Sequence, residues 1–165
     1  MLRLAVLGAV GQPEIEREVG RDATFAGQQS AARCRAALPR PDAKRAAWTQ
    51  MFGQAGQPSR YQLAANAEGF WQADQADLLA SYVPRYFPAL AGAAVSRGPA
   101  VARLLVQHGF PQHAVTAATL RAGEECLAAA AFPASLRRLL ADQLDDLRRA
   151  LAVSSGPEMS NSQWA

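Results

Sequence analysis

The chain has 165 residues, half of them hydrophobic, a formal net charge of +3 and two cysteines. That is long enough for one domain with a real core and too apolar for a disordered chain. The small positive excess, mostly Arg interleaved with Asp, does not form the one-sided basic surface that nucleic-acid binding needs.

Much of the apolar half is Ala, which suits closely packed helices. Sustained alternation and Asn-Gly turns are absent, so the spacing predicts an all-α chain. The first helix is expected from Leu2 to Val10, ending at Gly11. Its Leu4, Leu7 and Val10 repeat fits an amphipathic helix better than a signal peptide, because no Ala-x-Ala cleavage site follows. Pro13 opens a second helix, EIEREVGRD, in whose first turn a missing N–H costs nothing. Asp22 or Thr24 caps a third, from Phe25 to about Leu38, which the pair Pro39 and Pro41 ends.

A fourth helix, Asp42 to about Phe52, puts Ala47, Trp48, Met51 and Phe52 on one side. Gly53 and Gly56 close it. Ser59 caps a fifth, in which Tyr61, Leu63, Ala64 and Ala67 lead towards Gly69. The stretch from Glu68 to Leu90 holds close to half of the aromatic residues and is expected to anchor the core. In this reading Gly69 breaks the helix, Phe70 and Trp71 lie in a connection, and a new helix runs from Asp74 to about Ser96. Leu78, Leu79, Tyr82, Tyr86 and Phe87 share its inner face, and Pro84 kinks it.

Gly98 and Pro99 separate off a helix carrying Val101, Leu104, Leu105 and His108. Phe110-Pro111 is a turn. Thr116 caps the next helix, with Leu120, Gly123, Leu127 and Ala130 as its inner stripe; Gly123 would admit a close neighbour. Pro133 opens the last helix, whose stripe of Leu136, Leu139, Leu140, Leu144, Leu147 and Leu151 is the clearest in the chain. Pairs at i,i+4, such as Arg138–Asp142 and Asp145–Arg149, lace its outer face.

Residues 1–153 are thus expected to form one helical domain, and the polar tail 154–165 to be disordered apart from a contact by Trp164. Eight or nine short helices with short links suggest antiparallel pairs stacked as a HEAT- or armadillo-like α-solenoid, with a compact irregular helical domain as the alternative. No stretch is long enough to cross a membrane.

The search for chemistry assigns no catalytic, cofactor-binding or metal-ligating residue. His108 and His113 are five apart with a proline between, which does not match HExxH, and zinc needs three or four ligands. Glu124 and Glu125 point in different directions on a helix. Asp142, Asp145 and Asp146 are interleaved with Arg137, Arg138, Arg148 and Arg149. Cys34 and Cys126 belong to no CxxC pair and read as buried free thiols.

Ala43-Lys44 with Ala47-Trp48, Tyr61-Gln62-Leu63, Glu68-Gly69-Phe70-Trp71-Gln72 and Tyr82-Val83 with Arg85-Tyr86-Phe87 together resemble the C-terminal helical domain of bacterial aminopeptidase N. Ala114-Val115-Thr116, Thr119-Leu120, Leu136-Arg137-Arg138 and Asp145 to Leu151 are similar to the closing helices of actinobacterial members. The resemblance runs from Leu2 to about Val153. It implies an endoplasmic-reticulum aminopeptidase-like domain of a zinc metallo-aminopeptidase, forming a HEAT-like bowl that covers the active site and limits peptide access.

The resemblance places the family's HExxH, its downstream zinc-ligand Glu and its GxMEN motif in a catalytic domain, and none of the three occurs here. Zinc is therefore expected in the family's catalytic domain and not in this chain, which is expected to be inactive alone. Peptide substrate and a separate catalytic-domain polypeptide are the implied partners, and the cytoplasm the implied location. Met1 would fall inside the family's helical domain, which leaves an apolar patch around Leu4, Leu7 and Val10. The alternatives are a stand-alone scaffold that holds a peptide or protein on its concave face, and a hydrolase with an unrecognised site.

Overall fold

The computed structural model describes residues 1–53 and 58–154, and all regular structure among them is helical. Ten α-helices follow in order: α1 (Leu2–Val6), α2 (Gln12–Arg21), α3 (Phe25–Ala37), α4 (Pro41–Phe52), α5 (Arg60–Phe70), α6 (Ala76–Leu79), α7 (Val83–Ser96), α8 (Pro99–Gly109), α9 (Ala117–Ala129) and α10 (Ala134–Ser154). A 3-10 turn, Ala73–Gln75, leads into α6. The expectations for Gly56, for the tail beyond Ser154 and for Trp164 lie outside the described residues.

The helix starts follow local chemistry. Thr24 Oγ1 accepts from Gly27 N–H at 3.2 Å, and Thr116 Oγ1 from Thr119 N–H at 3.1 Å. Ser59 and Gln62 cap each other reciprocally at 3.2 Å, a capping box that pairs two otherwise orphaned donors. Gly11 N–H donates to Glu14 Oε2 at 2.9 Å, so α2 starts one residue before Pro13. Between α7 and α8 the chain turns at Gly98, whose φ of +87° suits only a residue without a Cβ.

Three boundaries differ from the sequence reading. The first helix stops at Val6 and not at Val10, because the chain turns at Gly8 with φ +70°. Ala5 and Val6 are buried there, while Leu4 and Leu7 are 47% and 57% exposed. Gly69 does not break α5, which continues to Phe70. A Cβ on Gly69 would lie 2.2 Å from the Arg33 carbonyl oxygen, so this glycine lets α5 lie directly on α3.

The third difference is in the aromatic stretch, which is not one kinked helix. A proline crowds the carbonyl four residues back and has no N–H to donate, which kinks or breaks a helix; α7 tolerates one at Pro88, but a single kinked helix through Pro84 does not form. The chain instead breaks after Leu79 and restarts at Val83, with Pro84 in the first turn of α7.

Chain neighbours α2 and α3, α4 and α5, α7 and α8, and α9 and α10 pack as pairs. The second members, α3, α5, α8 and α10, also pack side by side in that order, as do α4, α7 and α9. The result is two rows. Phe25 meets Tyr61 and Arg33 meets Glu68, so α3 and α5 run in the same direction.

The main core lies between the rows. Phe70, Trp71, Tyr82, Tyr86, Phe87 and Phe110 are buried, and with the half-buried Trp48 and Phe52 their ring centroids are 4.5 to 6.2 Å apart. Most pairs are edge-on or tilted, as the ring quadrupoles favour. Leu136, Leu140, Leu144 and Leu147 close the core from α10. Gly123 admits Leu144 and the Phe87 ring, as its place in the α9 stripe suggested. A smaller cluster, Ala5, Ile15, Ala31, Cys34 and Leu38, joins α1, α2 and α3.

Side chains distant in sequence terminate these helices. Lys44 Nζ donates to Ala36 O and Phe70 O, both at 2.8 Å, at the ends of α3 and α5. Gln75 Nε2 donates to Val6 O at 2.9 Å and Ala37 O at 2.8 Å. Trp71 Nε1 donates to Gly109 O at 2.6 Å, Arg97 to Met51 O, and Arg137 to Leu127 O and Ala130 O. These are the carbonyls that a helix cannot pair internally.

Gly92 shows the opposite of Gly69. It is exposed on α7, and a Cβ there would meet nothing within 4 Å. Gly92→Ala is expected to raise stability by about 0.5–1 kcal/mol through the entropy of the unfolded chain. Urea denaturation with an unchanged m-value checks it.

Candidate functional site

Three adjacent helices of one row bring together a polar cluster. Glu68, near the end of α5, receives Arg33 of α3 on Oε2, and His108 Nδ1 of α8 lies 2.8 Å from its Oε1. The Arg33 Nε–H is buried without an acceptor among the described residues. On one side opens a cleft of about 510 Å³, lined by Gln29, Arg33, Arg60, Tyr61, Leu104 and His108 among others. On the other lies a smaller one of about 220 Å³, with Trp71, Gln107, Gln112 and Gln143.

Both oxygens of Glu68 are engaged, so it is not a free base. A histidine oriented by a carboxylate suits a catalytic base, but among the described residues neither cleft is lined by a Ser, Thr or Cys nucleophile. Among the described residues the arrangement offers charge and hydrogen bonds to a bound group.

A third cleft, about 570 Å³ and largely apolar, lies between the α6–α7 segment and α9. Trp71, Leu79, Val83, Pro84, His113 and Thr119 are among its lining residues. The hydroxyls of Thr116 and Thr119 are 2.8 Å apart and committed to the cap of α9.

The two histidines therefore serve different clefts and do not converge. Glu124 pairs with Arg148 at 2.7 Å, while Glu125 lies beside Cys126 in a separate groove along α7. Asp145 pairs with Arg148 and Asp146 with Arg149, so these pairings are i,i+3 and not the expected Asp145–Arg149 at i,i+4. Among the described residues no three His, Cys, Asp or Glu side chains could hold a metal ion. The donor set does not fit zinc: His108 is held by Glu68, and Glu68 by Arg33.

Both cysteines are free. Cys34 is buried; Cys126 is half-buried, with its thiol 3.5 Å from Phe87 O. Burial pushes both thiols above their ordinary range, so neither is activated as a nucleophile.

Lys44 is the polar group with the most unusual surroundings. It is fully buried, its ammonium lies 5.4 Å from the Phe70 ring centroid, and no carboxylate pairs with it among the described residues. Burial pushes its pKa down to about 7. The two helix-end carbonyls it serves carry the negative ends of their dipoles, which favours a cation there. Neither Lys44 nor the Glu68 cluster was singled out by reading the residues for chemistry. The signal for Lys44 was its helical phase, three residues before Ala47 and seven before Met51, on the buried face of α4.

Among the described residues the fold is all-helical, with polar and apolar clefts between its helices. Residues 1–149 match the family model of the ERAP1-like C-terminal domain, and the chain belongs to that family. It is 40% identical over 153 residues to Aminopeptidase N of Streptomyces lividans, an alignment covering 93% of this chain and 18% of the relative. The chain thus spans less than a fifth of the length of the curated relative it matches. No described helix is long and apolar enough to cross a membrane.

Proposed function

We propose that this chain is the covering, substrate-access domain of an aminopeptidase N-like zinc metallopeptidase, which removes N-terminal amino acids from peptides. The observation that carries the reading is the alignment with Aminopeptidase N, which takes in nearly the whole chain and only 18% of the relative. The relative's remaining length would supply the zinc and the catalytic residues. This chain's part would be to limit which peptides reach them, and its own residues would include no catalytic, cofactor-binding or metal-ligating group.

Two features support a stacked, HEAT-like arrangement. The second helices of successive pairs line up in one row, and α3 and α5 run in the same direction. The exposed Leu4 of α1 and Leu7 just after it are where a preceding helical unit, or a separate catalytic polypeptide, would dock.

Leucine p-nitroanilide separates the readings. The purified chain supplied with zinc is expected to release no nitroaniline, and chelator-sensitive release would overturn the assignment. Added to Aminopeptidase N of S. lividans lacking its matching segment, the chain is expected to restore discrimination between short and long peptides. A chain that leaves that enzyme unaltered would point to the stand-alone scaffold.

A further inference from the structure

The cleft of about 510 Å³ beside Glu68 opens between α3, α5 and α8. Apart from Tyr61, its ionisable lining residues are Arg33, Arg60, Glu68 and His108. Glu68 is already matched by Arg33 and His108, whereas Arg60 has no acidic partner among the described residues and Arg33 keeps a buried Nε–H without an acceptor. Among the described residues the cleft therefore presents one unpaired cation, Arg60, and no free carboxylate.

Its rim is aromatic. Phe25, the first residue of α3, and Tyr61, the second of α5, stack edge to face at 5.0 Å and 87°. They remain 56% and 61% exposed. A single exposed aromatic is ordinary, but a stacked pair beside arginines in a concave site has the composition of an interaction hot spot. The parallel α3 and α5 both start here, so their dipoles add positive potential.

We propose that this cleft docks an extended peptide segment carrying acidic side chains next to an apolar one. An acidic group meets the unpaired Arg60, and the apolar side chain lies on the Phe25–Tyr61 pair. The inference does not rest on the covering role, because the site is complete within this chain and is tested on it alone.

The probe is a fluorescein-labelled peptide with both ends blocked, Gly-Glu-Leu-Asp-Leu-Glu-Gly, titrated with the full 165-residue chain and followed by polarisation. Saturable binding is expected below about 1 mM. A control with Gln and Asn replacing the acids is expected to bind about tenfold more weakly or worse. Raising the salt to 0.5 M is expected to weaken the acidic peptide and leave the control unchanged.

Arg60→Glu and Tyr61→Ala are each expected to lose about tenfold in affinity. Both positions are exposed, and a Glu in the first turn of α5 suits the helix dipole, so circular dichroism should match the parent. Absence of saturable binding, equal affinity for the acidic and neutral peptides, or an unaffected Arg60→Glu overturns the proposal. So does a neutral peptide with a free terminal carboxylate that binds as tightly as the blocked acidic one. The wild-type peptide and salt comparisons decide the matter even if a variant fails to fold.

Discussion

Lys44→Met is expected to destabilise the chain by about 2–5 kcal/mol. Methionine fills nearly the same space, so packing is largely kept. What disappears is the donor for Ala36 O and Phe70 O, and a buried acceptor left without a partner costs about 1–3 kcal/mol. The effect has a pH signature. Burial holds the folded pKa at about 7, below the ordinary 10.5. Below pH 7 both folded and unfolded chains carry the proton; between about 7 and 10.5 only the unfolded chain does. Folding then releases a proton, and stability rises with pH.

Between pH 6 and 8.5 the wild type should therefore gain about 2 kcal/mol that Lys44→Met does not. Above that window the thiols of Cys34 and Cys126 work the other way, because they ionise more readily unfolded. Urea denaturation of both proteins at pH 6, 7.2 and 8.5 measures the widening difference. A constant difference would mean that the amine keeps its proton in the folded chain throughout.

Gly69→Ala is expected to cost about 3 kcal/mol and to lower Tm by roughly 6–12 °C. The added Cβ would meet the Arg33 carbonyl oxygen at 2.2 Å and the Ala36 Cβ at 3.0 Å. Backbone cannot swing aside as a side-chain tip can, so α3 and α5 must move apart. Helix propensity offsets only about 1 kcal/mol of this. The same substitution at Gly92 has the opposite sign, so the pair isolates contact from propensity. Because Arg33 and Glu68 flank the point of approach, Gly69→Ala should also loosen the Arg33–Glu68–His108 cluster. His108 ring resonances in NMR spectra would report that shift.

What could be read from the sequence was what local chemistry decides. Ser59 and Thr116 cap where their side chains said they would, Thr24 is the cap of the two candidates Asp22 and Thr24, and Gly98 and Pro99 separate two helices. The aromatic residues from Phe70 to Phe87 and the leucines of α10 are the core because buried area follows residue size and period. Glycine and proline were harder. Gly69 looks like a helix end in one dimension, but its meaning is a contact with a helix more than thirty positions away. Pro84 fits a kink, yet it fits equally well in the first turn of a helix that starts at Val83, where its missing N–H costs nothing. Arg33, Glu68 and His108 come from three helices with no fixed spacing, so only the packing of the row assembles them.

The directed hydrogen bonds from Lys44, Gln75, Trp71, Arg97 and Arg137 to helix ends bear on uniqueness. Helices faced with alanine are nearly smooth cylinders. Sliding one past another by a turn changes the buried apolar area little, so many packings have similar energy. A carbonyl that must find one lysine or one tryptophan has no such freedom, since a shift of a single turn, 5.4 Å, leaves both donor and acceptor stranded. These few polar side chains act as detents on otherwise slippery surfaces. They set which of the nearly degenerate stackings is the native one.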